Sequence, residues 1–361
     1  MPFATPVQIV VCRDTCDWRT DEYVEMLGVA FEGSANVPGS PNAYLADAVD
    51  LGIRVLEPAE NLADSEIRAL IRGARETVVV VIGAPSAQST ALGNEVGPDN
   101  IVPVDGPQPV SDGSVQGDKG PGEEPAFAPV VAALRAMECA RRVLAGKGGG
   151  SLKLFISHAK TDGLAMARSL IGILRQLQDA NSGAPGFEYF YDAEHIEPGS
   201  VWREVLEANA SEAVLIALRT GAYESRYWCR REFLLAESNG MPILAVDLRN
   251  GQFNDSALLP FEVVPCVRVH DGNLIRVVLH AMAVHLRALR VQSAVKPGLK
   301  VKVLPHRPSV YSLAAAGTGS VGFDRVAHPG PKVPGVYEKA VDPILSAGGS
   351  PTKLVTFDEL E

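Results

Sequence analysis

The chain has 361 residues, 46% of them apolar, enough for about two globular domains with a core each. Its formal net charge of -10, from 43 acidic against 33 basic side chains, works against binding to a nucleic-acid backbone, which needs clustered Lys and Arg. Five Cys without paired spacing form no disulfide framework, no metal site is read from them, and no apolar run approaches a membrane span. A cytoplasmic protein with no nucleic-acid and no membrane partner is therefore expected.

In chain order, Val7–Val11, Gly52–Leu56 and Thr77–Ile82 are short apolar runs rich in β-branched residues, and Ser65–Arg72 places Ile67, Leu70 and Ile71 at helical spacing. Strands apolar throughout and alternating with helices predict a small parallel sheet covered on both faces. Residues 1–84 are read as a small α/β domain, regulatory or a diverged copy of the domain that follows. It has no Gly-rich phosphate loop after Val11.

Residues 85–125 are dense in Gly and Pro and have no long apolar run, so a linker or long loop is expected there. Residues 126–150 read as a helix and hinge. Val130, Val131, Leu134 and Met137 share one face, and Gly146-Lys147-Gly148-Gly149-Gly150 ends the run.

From residue 151 the alternation is regular. Strands are expected at Leu152–Ser157, Phe187–Asp192, Ala213–Leu218, Pro242–Val246 and Val264–Val269. Helices are expected around Leu164–Leu174 and at Trp202–Asn209, Trp228–Glu237 and Leu274–Leu289. Five strands with intervening right-handed crossovers predict a flavodoxin-like parallel sheet, whose working groups lie beyond the carboxyl ends of the strands. Residues 291–361 are expected to form an irregular tail. Leu299–Leu304 alternates like an edge strand, and Leu354–Glu361 leaves two readings open, a chain that continues or a tail packed on the second domain.

Three segments at those strand ends carry a resemblance. Phe155-Ile156-Ser157-His158-Ala159-Lys160-Thr161-Asp162-Gly163 resembles the first strand and loop of a bacterial TIR (Toll/interleukin-1 receptor) domain. Tyr191-Asp192, followed by Pro198-Gly199 and Trp202, is similar to its second strand and loop. Ser225-Arg226-Tyr227-Trp228-Cys229-Arg230-Arg231-Glu232 is similar to the Ser-x-Trp-Cys-x-x-Glu signature of the enzymatic members, with one extra residue between Ser and Trp. The resemblance covers residues 151 to about 290 and implies cleavage of NAD, as substrate rather than cofactor, into nicotinamide and ADP-ribose or a cyclic product. It also implies activation by self-assembly through TIR–TIR contacts, as a homo-oligomer or filament, in anti-phage defence. An activating protein or nucleotide signal is a further expected partner. The alternative within the family is a non-catalytic interaction scaffold or signalling adaptor.

Glu232 is the expected catalytic residue. Nicotinamide in NAD is already a cationic leaving group, so one carboxylate that holds the ribose and steadies positive charge on the ribosyl carbon suffices, where ordinary glycosidases need two. Trp228, four residues earlier on the same helix, is expected to form an apolar wall beside it. Phe155, Ser157, Lys160, Asp162, Asp192 and Trp202 complete the expected substrate-binding set. Asp162 is equally well read as the cap of the helix beginning near Gly163, and Asp192 as the closure of a turn. Cys229 reads as packing rather than a nucleophile, and His158 as a loop residue.

Overall fold

A computed structural model describes residues 7–13, 53–56, 63–72, 76–82, 87–96, 101–104, 127–145, 151–180, 187–191, 213–249, 259–269, 274–295, 298–318, 322–329, 341–348 and 352–360. The chain divides into two compact units near residue 143. Among the described residues no helix is long and apolar enough to cross a membrane.

The first unit contains strands β1 (Val7–Arg13), β2 (Ile53–Leu56), β3 (Glu76–Ile82) and β4 (Ile101–Val104), with helices α1 (Asp64–Arg72) and α2 (Ala87–Val96). The strands form one parallel sheet in the order β2-β1-β3-β4. Cys12, Val79, Val81 and Leu92 are its buried apolar centre, with Ile71 and Ile101 packed against them. Burial pushes the Cys12 thiol up to about 11, so it packs as a neutral group.

The stretch expected to be a linker from residue 85 thus begins with a helix and a strand. Helix α2 buries Ser89, Leu92 and Gly93, a face of mostly small residues that lacks the bulky periodicity by which helices are recognised. Strand β4 contains Pro103, but it lies at the sheet edge, where a missing N–H leaves no ladder bond unmade. The expected helix after it is present as α3 (Phe127–Ala145), and Val130, Val131, Leu134 and Met137 are all buried. Within α3 the buried Arg141 guanidinium donates to Glu138 at 2.7 and 2.8 Å, so each charge is neutralised where it is desolvated.

The second unit is an α/β unit built on five parallel strands: β5 (Lys153–His158), β6 (Glu188–Tyr191), β7 (Ala213–Arg219), β8 (Ile243–Asp247) and β9 (Cys266–Arg268). Their order is β6-β5-β7-β8-β9. Leu154 to His158 and Ala213 to Leu218 are buried at every position, as central strands covered on both faces must be. Helices α4 (Leu164–Ala180), α5 (Tyr227–Asn239) and α6 (Ile275–Ala294) accompany the strands. The expected helix at Trp202–Asn209 lies outside the described residues.

Helix α5 ends at Gly240, whose φ of 71° is a left-handed conformation that other residues adopt at a cost. Beyond it, the Lys302 ammonium donates to the Asn239 carbonyl at 3.3 Å, placing a cation at the negative end of the helix. Lys302 lies in Leu299–Leu304, expected as an edge strand within a segment otherwise expected to be irregular. Its described part contains strands β10 (Val301–Val303), β11 (Arg325–His328) and β12 (Lys353–Thr356), parallel and in that order, with helix α7 (Val310–Thr318). Strand β10 is the expected edge strand, while β11, four residues long, is too short for a readable period.

Leu304, Leu313, Ala316, Val326, Val341 and Leu345 form a small core of their own, and helix α7 packs along α5. Val291 of α6 joins Ala327, Phe357 and Leu360, so these residues pack on the second unit. On α5, Glu237 is fully buried.

Burial pushes the Glu237 carboxyl up to about 7; Ser309 opposes that shift and Glu262 adds to it. A carboxyl with a higher proton affinity folded than unfolded contributes its full stability below pH 4.5 and loses it as pH rises toward 7. Unfolding free energy should therefore fall by about 3 kcal/mol over that window from this group. Glu237→Gln should remove most of that slope, so urea titrations at pH 5 and pH 8 should show it gaining on the parent only at the higher pH.

Candidate functional site

The chain direction reverses across β5: from β5 it passes to β6 on one side, then returns over it to β7 on the other. In open α/β sheets such a reversal, beyond the carboxyl ends of strands such as β5 and β7, is where ligands are generally bound. Strand β5 ends in Ser157-His158, in register with Ala217-Leu218 of β7. Loop 159–163 leaves one strand, and a turn through Tyr223–Ser225 leaves the other on the way to α5.

Three sets of hydrogen bonds stitch these strand ends together. The Asp162 carboxylate accepts from the Thr220 hydroxyl at 2.7 Å and from the Ala222 N–H at 2.9 Å. Arg226 donates to the Thr161 hydroxyl at 2.5 Å. The Ser157 hydroxyl donates to Glu232 Oε2 at 2.5 Å and lies 2.8 Å from the Tyr223 hydroxyl. Gly163 permits the first loop to turn tightly: a Cβ there would meet the Ala159 carbonyl oxygen at 3.0 Å and His158 Cβ at 3.2 Å.

Glu232 is part-buried on the second turn of α5 and reaches back to the end of β5, a hydroxyl 75 residues away in sequence. Beneath it the surroundings are apolar and ordered. Tyr223 is fully buried, its ring edge-on to Phe261 at 5.9 Å, and Phe233 packs against the same ring. Burial drives the Tyr223 phenol well above its usual range, and the nearby Glu232 charge adds to the shift. Burial also pushes the Cys229 thiol up to about 12, again with Glu232 adding. Cys229 is thus a neutral packing group, as read from its sequence context. The carboxylate stands at the edge of a low-dielectric floor, where its field acts strongly on a cation.

The expected substrate-binding residues divide. Ser157 is beside Glu232. Asp162 is at the same strand ends, but its two oxygens serve Thr220 and Ala222, so it caps no helix and instead holds one loop against the other. Lys160 is exposed on that loop.

Phe155 has no exposed surface; it stacks on Phe190 of β6 with centroids 4.8 Å apart, so it supports the site from the core and presents nothing to a ligand. A residue two before the strand end points into the packed interior, because the sheet is covered on both faces. Asp192 and Trp202 lie outside the described residues.

Trp228 differs from the expected wall. It is 56% exposed, beside Tyr227, which is 60% exposed; the two rings meet edge-on at 5.3 Å and the Arg231 guanidinium lies 5.3 Å from the indole centroid. Helical spacing puts Trp228 and Glu232 on one side of α5, but Tyr227 and Trp228 on its first turn are exposed while Glu232 on the second is part-buried. His158, read as a loop residue, is the last residue of β5 and is buried.

The residue that sequence reasoning passed over is Tyr223. It precedes the Trp-Cys segment within a short run without period, and its only signal was an aromatic side chain just after a buried strand. An open depression of about 270 Å³, lined by Arg68, Ile71, Arg72 and Glu95, belongs to the first unit; Glu95 there accepts from Arg68 at 3.2 Å. It shares no residue with the Glu232 cluster.

Removing the Asp162 carboxylate should strand one hydroxyl and one N–H and loosen the two loops. Asp162→Ala should cost about 1–2 kcal/mol of unfolding free energy, and Asp162→Asn less, since the amide oxygen still accepts one bond. Denaturant midpoints of the two variants check the ranking. Compared with protein-family models and with curated proteins, the chain matches none.

Proposed function

We propose that this chain is a TIR-type NAD glycohydrolase, an NAD nucleosidase that cleaves the bond between nicotinamide and ribose, with Glu232 as its catalytic carboxylate. The observation that carries the reading is the Ser157–Glu232 contact at the switch point, where a parallel α/β sheet offers its binding crevice. The strand order β6-β5-β7-β8-β9 supports it, being that of flavodoxin-like sheets, and so do the three motifs that resemble bacterial TIR domains. Glu232 would hold the ribose hydroxyls and stabilise positive charge as the nicotinamide cation departs as a neutral base. Water then attacks the ribosyl carbon to give ADP-ribose; attack by the adenine of the same molecule gives the cyclic product. Lys160, exposed on the loop after β5, would meet the pyrophosphate. Activation by self-assembly, a cytoplasmic setting and a role in bacterial immunity come from the resemblance alone.

The rival is a non-catalytic interaction scaffold, and exposed Tyr227 and Trp228 favour it, since paired surface aromatics often mark protein contacts. Incubating the full chain with NAD, with and without a molecular crowder, should release nicotinamide measurable by chromatography. Glu232→Gln should lower the rate by about a thousandfold or more, the scale of losing a transition-state electrostatic contact. No release by the parent under either condition would establish the scaffold instead.

A further inference from the structure

Tyr223 is a fully buried hydroxyl bonded to the site, and nothing in the reaction proposed above gives it a task. Its backbone is fixed: the Tyr223 N–H donates to the Thr220 carbonyl at 3.3 Å, and the preceding Ala222 N–H is held by Asp162. Its ring is locked against Phe261. The hydroxyl therefore arrives at Ser157 from one direction only.

The direction of each proton follows from valence. An ionised carboxylate can only accept, so at 2.5 Å the Ser157 proton points at Glu232 Oε2. Ser157 then has only lone pairs to offer its other neighbour, 2.8 Å away, and Tyr223 must be the donor. Burial, together with the Glu232 charge, keeps the phenol protonated and so keeps that donor permanent. Ser157 is itself 2% exposed, which leaves little room for water to replace either partner.

We infer that Tyr223 is a positioning residue for Glu232, acting through Ser157. The relay Tyr223 O–H to Ser157 O–H to Glu232 Oε2 holds that carboxylate oxygen in place and steadies the orientation of the carboxylate. This rests on the glycohydrolase reading for its consequence: a carboxylate free to swing still binds substrate but spends less time aligned with the ribosyl carbon.

The test uses the full chain and the variants Tyr223→Phe, Ser157→Ala, the double variant and Glu232→Gln. Phe keeps the ring and its packing on Phe261. With NAD as substrate, Tyr223→Phe should lower kcat about tenfold with KM within about twofold, the pattern of a contact that matters in the transition state. Ser157→Ala should lose at least as much, and the double variant should be no slower than Ser157→Ala, because the Tyr223 hydroxyl is hydrogen-bonded to the carboxylate through that of Ser157. Losses that multiply in the double variant overturn the relay.

A second readout does not depend on turnover. With 13C-labelled glutamate, the Glu232 carboxyl resonance, identified by its loss in Glu232→Gln, should move at neutral pH in both Tyr223→Phe and Ser157→Ala. A resonance unmoved by Tyr223→Phe overturns the proposal. A parent chain that releases no nicotinamide overturns the glycohydrolase reading instead, while the resonance still decides whether Tyr223 holds the carboxylate.

Discussion

The parallel pairing of β5 with β7 is the constraint on which the rest depends. Because the two strands are adjacent in space but separated by β6 in sequence, their carboxyl ends bring together loops that leave in opposite directions. Every contact of the site spans that junction: Asp162 to Thr220 and Ala222, Thr161 to Arg226, Ser157 to Tyr223 and Glu232. A shift of one residue in the β5–β7 register would turn Ser157 to the opposite face and remove it from both partners.

Charge at this junction is handled unevenly. Tyr223 and Cys229 are kept neutral by burial, whereas Glu232 beside them is only part-buried. The same helix carries a second acid, Glu237, which is fully buried and therefore holds its proton more tightly. Two carboxyls a little over one turn apart thus have different chemistry because one faces the strand ends and the other lies inside the packing around α7 and the residues near Glu262. The described part of the C-terminal segment belongs in this account, since α7 packs along α5 and Lys302 meets the carbonyl at its end.

How much could be read beforehand varied with the length of the pattern. Long periodic stretches such as Leu164–Leu174 and Phe127–Leu144 were legible, since several apolar residues at three- and four-residue steps leave few alternatives. The strands at 152–157, 213–218 and 242–246 were legible because central parallel strands are apolar without interruption. Helix α2, with Ser89 and Gly93 on its buried face, and strand β4, with Pro103, were not, because small residues and an edge proline imitate a loop. Strand β10 was legible in the alternation of Leu299–Leu304, whereas β11 is too short to show a period. Of the residues expected at the site, Ser157 and Glu232 meet at the strand ends, whereas Phe155 lies in the core and Trp228 is exposed.

The sequence by itself determined the alternation of strands and helices from residue 151, the strand ends at which polar groups gather, and the spacing that puts Glu232 one turn after Trp228. Those are local properties, written in residues a few positions apart. Only the tertiary structure decided that Ser157 meets Glu232, that Tyr223 stands behind Ser157, and that Asp162 ties two loops together rather than capping a helix. Such partners lie about 60 to 75 residues apart, and their meeting depends on strand register and helix rotation, which the packing of the whole core sets.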